Sequence, residues 1–351
     1  MPTIPPDRLR QIGCELFETA GFAAEDARTV IDHLVDSSLY GHDSHGIIRI
    51  YEYLTFFEKG VWNPRGVPKI VSDRPCTAIV DGDSAMGQIS GAFAMRIAMQ
   101  KAREYGTGTV TLRNCGHVGR CGAYPLMAAR NNMIAIAFVN AGRLGRQIAP
   151  YGGLDGKLST NPIAFSAPRR DQEPIMVDMA TAVTAEGKIR VARNRGELLP
   201  PGWITDSTGR PTVEPNDYLE SGGAILPLGG VASHKGYCLS WIVEVLGGAL
   251  SGEGVASGEV DMTSNGVLFT VYNIEHFTDL DAYYDEVETL VRHIRTSRVN
   301  PDVGEILVPG EPEYRTAAER TRRGIEIDDT TWSHICAAAK GLGLDTSLWL
   351  Q

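Results

Sequence analysis

Residues 41–54 read GHDSHGIIRIYEYL and place two histidines three residues apart, with an arginine four residues after the second. Ser44 is a suitable N-cap and Gly60 follows the apolar run, so the stretch predicts a helix that begins at Ser44. His45 would then lie in the first turn. Because positions four apart share a helix face, we expect His45 and Arg49 to point the same way.

A histidine and an arginine on one face suit a site for a small acid. A guanidinium presents a planar fork to a carboxylate, and an imidazole gives or takes a proton near neutrality. A helix N-terminus disfavours a protonated imidazole, so the position predicts a working pKa close to neutrality for His45. The spacing also fits surface residues in which Arg49 pairs with an acidic neighbour, and spacing alone favours that second interpretation.

The bulk composition narrows the class of protein. A chain of 351 residues suggests about two domains, and 43% hydrophobic with 22% charged residues is typical of a globular protein. The net charge of −10 predicts a surface that repels nucleic acid and anionic membranes. Without a long apolar run or a signal peptide, and with six scattered cysteines, the sequence predicts a cytoplasmic protein with free thiols.

The order of periodic segments predicts an α+β protein. The first 60 residues favour three helices, whereas short strands alternate with helices from residue 67 onward. We expect a helical N-terminal region at residues 1–66, an α/β part at 67–120 with 300–351 that packs against it, and a glycine-rich sheet domain at 121–299.

The sequence does not match two familiar binding motifs, the dinucleotide-binding glycine motif and a zinc site. The nearest approach to G-x-G-x-x-G is GTGTVT at residues 106–111, which lacks the third glycine and enters a strand. The segment NCGHVGRC at residues 114–121 offers Cys115, His117 and Cys121, but zinc sites usually need wider ligand pairs and a fourth group. We therefore predict no metal there and a loop that carries a functional His117.

Five further motifs follow residues 41–54 in order along the chain. They read GHVGRCGAY (116–124), LSTNPIAFSAP (158–168), VDMATAVTAEGKI (177–189), LPLGG with HKGYCLSWIVEVLGGALSG (226–230 and 234–252), and VPGEPEYR with GIEI (308–315 and 324–327). Together the six stretches resemble the malate/L-lactate dehydrogenase family of NAD(P)-dependent oxidoreductases. This family also includes ureidoglycolate dehydrogenase, sulfolactate dehydrogenase and Δ1-piperideine-2-carboxylate reductase.

The resemblance implies a fold, a cofactor and an assembly. The family binds NAD or NADP on a largely antiparallel sheet rather than a Rossmann fold, and its subunits are homodimers. Residues 121–299 would then be the cofactor-binding domain. Because Ser159, Ala182 and Cys238 depart from the family pattern, the choice between NAD and NADP stays open.

The resemblance also implies roles for individual residues. His45, supported by Ser44, and His117 are both carried as proton-transferring residues, because family members differ in which histidine is credited. Substrate contacts are assigned to Arg49, which would hold the carboxylate, and to Thr160, Asn161 and Lys188. Cofactor contacts are assigned to Asn140, Asp178, Met179, Ala180, His234, Lys235, Pro309, Gly310 and Glu311. His42 is predicted to be structural.

The expected reaction is hydride transfer between NAD(P) and C2 of a small 2-hydroxy or 2-keto carboxylic acid. Oxidation of such an acid needs a base, a carboxylate clamp and a hydride acceptor. One alternative is reduction of a cyclic imine carboxylate. The resemblance implies an acidic residue at the position of Lys188 in the imine reductases of this family, so the lysine favours hydroxy acids. Another is a homodimer that binds a metabolite without catalysis.

Overall fold

The N-terminal part of the chain is helical, as predicted. The computed structural model describes residues 1–259, 264–347 and 349. The elements of this part are strand β1 (Thr3–Ile4), helices α1 (Pro6–Thr19) and α2 (Ala24–Leu39), a 3₁₀ turn (Asp43–His45) and helix α3 (Arg49–Glu58). Their buried faces form one core, to which Phe17, Ile31 and Tyr53 contribute.

A seven-stranded sheet lies at the centre of the fold. Its order is β2-β3-β4-β11-β5-β6-β7, and only β3 and β4 run parallel. The strands are β2 (Lys69–Asp73), β3 (Thr77–Asp81), β4 (Thr107–Arg113), β5 (Met133–Asn140), β6 (Ile163–Arg169), β7 (Gln172–Met179) and β11 (Gly266–Asn273). The prediction of an α+β fold with a largely antiparallel sheet, and without Rossmann topology, is confirmed.

The remaining elements cover this sheet or extend from it. The helices are α4 (Gly87–Tyr105), α5 (Ala123–Ala129), α6 (Glu186–Arg195), α7 (Pro215–Leu219), α8 (His234–Val243), α9 (Leu280–Arg295), α10 (Glu311–Arg323) and α11 (Asp329–Gly341). Strands β8 (Ile204–Thr205), β9 (Pro211–Thr212) and β10 (Ala224–Ile225) form a small sheet, and β12 (Ile325–Glu326) pairs with β1. A π-helical segment (Glu244–Ala249) continues α8. Within the described part of the chain, no helix is both long and apolar enough to cross a bilayer.

Two further cores hold the sheet and its extension. The first packs α4 and α5 against the central strands through residues such as Met95, Val110 and Phe269. The second is smaller and includes Ile189 of α6 and Ile204 of β8. The central sheet takes strands from both 67–120 and 121–299, and the division of the chain into domains stays a prediction.

The third helix begins later than the sequence predicted. Ser44 is not its cap, because the chain forms a 3₁₀ turn there and α3 starts at Arg49. Gly46 interrupts the helix with φ −99° and ψ −145°. A Cβ at Gly46 would lie 2.0 Å from the Oγ of Ser38 on α2, and the N–H of Ile47 donates to the same oxygen at 3.1 Å. The glycine therefore lets the turn pack directly on α2.

Candidate active site

Two histidine rings from distant parts of the sequence lie face to face. The centroids of His45 and His117 are 5.4 Å apart, and the ring planes differ by 22°. Each ring is held through Nδ1 by a hydroxyl group: Ser44 Oγ lies 3.0 Å from that of His45, and Tyr53 Oη lies 2.7 Å from that of His117. Neither Nε2 has a hydrogen-bond partner among the residues that the structure describes. Both imidazoles therefore keep one nitrogen available for a ligand.

The loop that carries His117 is fixed from two sides. It follows β4, and a Cβ at Gly87 in the first turn of α4 would lie 2.4 Å from the His117 carbonyl carbon. The N–H of Val118 donates to the side-chain oxygen of Asn265, just before β11, at 2.9 Å. These contacts define the position of His117 before any substrate arrives.

Arg49 reaches the same place from the start of α3. Its Nε donates to the carbonyl oxygen of Ser44 at 2.7 Å, and its Nη1 forms an ion pair with Glu52. The side chain is 29% exposed, and its Nη2 has no partner in the described part of the structure. The acidic neighbour that spacing suggested is therefore present, but it occupies only part of the guanidinium. His45 and Arg49 do not share a helix face as predicted, since a turn separates them.

Both histidines are held in the neutral state. Burial, followed by the positive charge of Arg49 and the nearby His42 and Arg120, lowers the pKa of His45 from 6.5 to about 3. Burial and the charge of Arg49 hold the pKa of His117 well below 6.5. The predicted near-neutral pKa of His45 is wrong, because burial and then the neighbouring cations, not a helix terminus, decide the shift.

These shifts predict that the folded state loses stability as the pH falls from about 7 to about 5. His33 and His45 have a pKa of about 3 in the folded state, against 6.5 ordinarily. The unfolded chain therefore binds protons that the folded chain excludes, and stability rises with pH across this window. The contribution is complete above the unfolded pKa and is lost as the pH falls towards the folded one. Thermal midpoints measured across this range test the expectation.

A matched pair of variants isolates the contribution of one histidine. His33 Nε2 accepts the Arg120 N–H at 2.9 Å, and the amide oxygen of His33→Gln can accept the same bond without titrating. His33→Gln should flatten the dependence of the midpoint on pH. His293→Gln, on the exposed side of α9, should leave it unchanged. Equal slopes in all three proteins would contradict the assignment.

A buried group of charged and polar residues lies behind the histidine pair. Arg120 is only 3% exposed, and its guanidinium carbon lies 4.8 Å from the ring centroid of Tyr40. Its Nη1 contacts the sulfur of Met176 at 3.4 Å. Burial lowers the pKa of the half-buried His42 and raises the pKa of Asp178, and the charge of Arg120 acts on both groups as a smaller cause. Because Arg120 lies in a glycine-containing loop outside any helix or strand, no periodic pattern of apolar residues predicted its burial.

The segments predicted to bind the cofactor converge along β7 and the residues after it. The carbonyl oxygen of Pro309 accepts the N–H of Met176 at 3.0 Å, which places residues 309–311 beside the strand. Beyond the end of β7, Thr181 donates its N–H to the carbonyl oxygen of Thr160 at 3.0 Å. The carbonyl oxygen of Thr181 accepts the N–H of Leu228 at 2.9 Å, six residues before α8 begins. Strand β7 and the residues just after it therefore contact residues 309–311, which were predicted to bind the cofactor, the residues before α8, and also Thr160, which was predicted to bind the substrate.

Exposed polar and apolar side chains along this line fit a dinucleotide. His234 and Lys235 are exposed in the first turn of the ten-residue helix α8, where the positive end of the helix dipole favours phosphate. Met179 is exposed and Ala180 half-buried at the end of β7. Pro309 helps to line a pocket of 200 Å³. These residues fit the phosphates and an apolar part of a nicotinamide dinucleotide.

Two predicted cofactor carboxylates are already engaged within the fold. The Oδ2 of Asp178 accepts the N–H of Gly122 at 2.6 Å, at the start of α5. Glu311 forms an ion pair with Arg295 and accepts the N–H of Val308 at 2.9 Å. Gly310, at φ +100°, is the N-cap residue of α10 and directly precedes Glu311. Contacts of these residues with a cofactor stay predictions.

Two predicted asparagines belong to a buried network at Glu244. The Nδ2 of Asn161 donates to Glu244 Oε1 and to Ser240 Oγ, each at 2.8 Å. The Nδ2 of Asn140 lies 3.3 Å from Glu244 Oε2 and donates to the carbonyl oxygen of Gly254 at 2.8 Å. Asn161 adopts φ +42°, and its buried Oδ1 has no partner among the described residues. Both asparagines connect the sheet to α8, and their ligand contacts stay predictions.

Lys188 is exposed on α6, and the neighbouring Ile189 is buried in the small core of that region. The contact of Lys188 with a substrate stays a prediction. By contrast, the structure adds Tyr53, which the sequence analysis did not single out. Tyr53 follows Arg49 by four positions on α3, so its helical spacing was the available signal.

Known proteins resemble this chain over nearly its whole length. The sequence profile described as "Malate/L-lactate dehydrogenase" matches residues 4–336. A malate dehydrogenase from Pyrococcus horikoshii is 36% identical, with 97% of this chain and 96% of the relative covered. The structure of sulfolactate dehydrogenase from Methanocaldococcus jannaschii superimposes with a TM-score of 0.88 at 35% identity and 98% coverage of both chains. Δ1-Piperideine-2-carboxylate reductase from Pseudomonas syringae gives 0.84 at 30% identity, with 97% of this chain and 100% of that chain covered.

Proposed function

The chain is a dehydrogenase of the malate/L-lactate dehydrogenase family, and from that premise we propose that it oxidises a small 2-hydroxy carboxylic acid at C2 with NAD or NADP. The observation that carries the proposal is the convergence of His45, His117 and Arg49. Two neutral imidazoles with unpaired Nε2 atoms lie beside a guanidinium with an unpaired Nη2. That is the set required for a proton acceptor and a carboxylate clamp.

Each residue has one task in the proposed reaction. Arg49 Nη2 holds the substrate carboxylate, while Glu52 and the Ser44 carbonyl keep the guanidinium in place. His117 Nε2 takes the hydroxyl proton, because its ring is anchored on the buried Tyr53. His45 donates or accepts a hydrogen bond at the same substrate oxygen. The cofactor supplies the hydride-accepting nicotinamide, and residues 178–180, 234–235 and 309–311 hold it.

Fluorescence titration with NADH and with NADPH tests the cofactor part of the proposal. The exposed Lys235 at the head of α8 supports phosphate binding, but it does not distinguish a pyrophosphate from a 2′-phosphate. Saturable binding of at least one dinucleotide is expected, and the ratio of the two dissociation constants gives the preference. Absence of binding for both would contradict the proposal.

A cyclic imine substrate is the second candidate. The similarity to Δ1-piperideine-2-carboxylate reductase supports it, since a carboxylate clamp and a proton-transferring histidine serve an imine nitrogen as well as a carbonyl oxygen. An assay that offers both a 2-keto acid and a cyclic imine carboxylate separates the two. Dinucleotide binding without turnover of either would instead favour a non-catalytic metabolite-binding homodimer.

We also propose that the protein is a homodimer, supported by an apolar surface on α8 and its π-helical continuation. Trp241, Ile242 and Val245 are exposed there, Trp241 at 56%, and the exposed Val231 before α8 and Leu250 after the π-helical segment extend this surface. The buried face of the same helix contains Ser240 and Glu244 together with Val243. A contiguous exposed apolar face of this kind is typical of a surface that a partner covers.

Light scattering on variants of this surface tests the assembly. Trp241→Glu is expected to convert the dimer into a monomer, because it places a charge at the centre of the apolar face. Val191→Glu changes an exposed valine on α6 instead and should leave the mass unchanged. A dimeric Trp241→Glu protein would show that the subunits associate through another surface.

The remaining parts of the proposal concern location and partners. All six cysteines are free, which suits a reducing cytoplasm. The net charge of −10 disfavours nucleic acid as a partner. A small acid would bind such a protein only at a local cationic site, and Arg49 provides one.

A further inference from the structure

A glutamine and a tyrosine form a buried chain behind His117. Tyr53 lies on α3 and Gln88 in the first turn of α4, and each side chain is 1% exposed. Tyr53 Oη lies 2.7 Å from His117 Nδ1 and 3.1 Å from the Gln88 amide nitrogen. The other end of that amide, Oε1, is buried and has no partner among the described residues. An unpaired buried acceptor destabilises a protein. The presence of a buried glutamine at position 88 therefore needs a functional explanation.

The three groups allow two arrangements of hydrogen atoms. If the amide nitrogen donates to Tyr53 Oη, the phenol proton points to His117 Nδ1, and Nε2 must carry the remaining imidazole proton. That tautomer cannot accept a proton from a substrate through Nε2. An amide turned by 180° occupies the same space and presents Oε1 to Tyr53. The phenol proton then points to Gln88, and Tyr53 Oη is free to accept from His117 Nδ1–H.

We propose that Gln88 and Tyr53 are positioning residues that hold His117 in the Nδ1–H tautomer, with Nδ1–H donating to Tyr53 Oη and the phenol O–H donating to Gln88 Oε1. This arrangement leaves the Nε2 lone pair of His117 as the base, and it gives Gln88 Oε1 the phenol O–H as a donor, while the amide NH2 takes the place of the oxygen. Ser44 plays a simpler part at His45, where one exposed hydroxyl lies 3.0 Å from Nδ1.

The same hydrogen bonds serve both directions of the reaction. In oxidation the substrate O–H bond would break, Nε2 would take the proton, and the oxygen electron pair would form the C=O bond, with a bound nicotinamide supplying the acceptor for the hydride of C2. The imidazolium keeps its Nδ1–H bond to Tyr53. In reduction Nε2–H returns the proton to oxygen. Neither step requires the amide or the phenol to reorient.

The inference rests on the proposed function and concerns one ring whose ionisable neighbours are known. The groups that face His117 are Arg49 and Tyr53 from α3, His45 from the 3₁₀ turn and His33 from α2. The charge of Arg49 opposes protonation of His117. Substitutions at Gln88 leave all four groups in place, so a change in the pH profile reports on the hydrogen-bonded chain.

The test compares an acceptor with a non-polar isostere at position 88. Gln88→Glu supplies only acceptor oxygens, whereas Gln88→Met fills the space without a strong acceptor. We expect Gln88→Met and Tyr53→Phe to lower kcat for hydroxy-acid oxidation about 10- to 100-fold, a part of the usual contribution of acid–base catalysis. Gln88→Glu should stay within about threefold of wild type, and the acidic limb of its kcat/KM profile should move to higher pH.

The controls separate this role from packing and from failure of the proposed function. Tyr51→Phe changes an exposed tyrosine on the same helix and should leave kcat and the pH profile unchanged. Dinucleotide affinity and the thermal midpoint are measured for each variant, and the two Gln88 variants decide the question if Tyr53→Phe does not fold. Inactive wild-type enzyme would contradict the proposed function. Active wild type with Gln88→Glu as impaired as Gln88→Met, or with full activity in Gln88→Met, would overturn this inference.

Discussion

Replacement of His117 by alanine is expected to lower kcat for hydroxy-acid oxidation by about 10²- to 10⁴-fold, the range that a positioned acid–base group contributes. The reason is that His117 is neutral, anchored at Nδ1 by Tyr53 and unpaired at Nε2. Dinucleotide affinity should change little, because the predicted cofactor segments lie along β7 and α8. Steady-state kinetics and fluorescence titration measure the two quantities separately.

Two further histidine variants sharpen this result. His45→Ala removes the ring stacked on His117 and should raise the Michaelis constant as well as lower kcat, since it alters the place where the substrate oxygen binds. His293→Ala, exposed on α9, should match wild type. A His117→Ala enzyme with nearly normal kcat beside an inactive His45→Ala enzyme would assign proton transfer to His45 instead.

Arg49→Lys is expected to raise the Michaelis constant for the acid by about 10- to 100-fold, which corresponds to the loss of one charge-assisted hydrogen bond. Lysine keeps the charge but lacks the planar fork that holds a carboxylate while bonding Glu52 and the Ser44 carbonyl. The kcat value at saturation should fall less, because the proton acceptor stays in place.

The control for Arg49 is an arginine of similar chemistry outside the site. Arg28 pairs with Asp32 on the surface of α2, so Arg28→Lys should leave both kinetic constants unchanged. If Arg49→Lys also leaves the Michaelis constant unchanged, the substrate carboxylate binds elsewhere. A large loss of dinucleotide affinity would assign Arg49 to the cofactor.

The family motifs predicted the general plan of the molecule from sequence. They implied a largely antiparallel sheet without Rossmann topology, which the strand order confirms. They also named His45, Arg49 and His117 together, although 72 positions separate the two histidines (117 − 45). The turn at His45 was mispredicted, because Gly46 interrupts the helix to approach Ser38 on α2. Local helix signals contain no information about that tertiary contact.

The electrostatics of the site also depended on tertiary contacts. The low pKa of His45 follows from burial and from Arg49, His42 and Arg120 around it, and the burial of Arg120 depends on how its loop packs in the fold. The role of Gln88 arises because α4 packs against α3 at Tyr53. Neither the low pKa of His45 nor the contact between Gln88 and Tyr53 is indicated by a periodic pattern or a motif in the sequence.

The central claim is tested most directly by following the absorbance of NADH or NADPH when wild-type protein meets a panel of small 2-keto acids. The panel includes the keto acids that correspond to malate, lactate and sulfolactate, and a cyclic imine carboxylate is assayed in parallel. The account predicts that at least one 2-keto acid causes a protein-dependent loss of absorbance, and that His117→Ala removes it. Dinucleotide binding without absorbance loss for any 2-keto acid, or loss with the imine alone, would contradict the claim that the protein is a 2-hydroxy acid dehydrogenase.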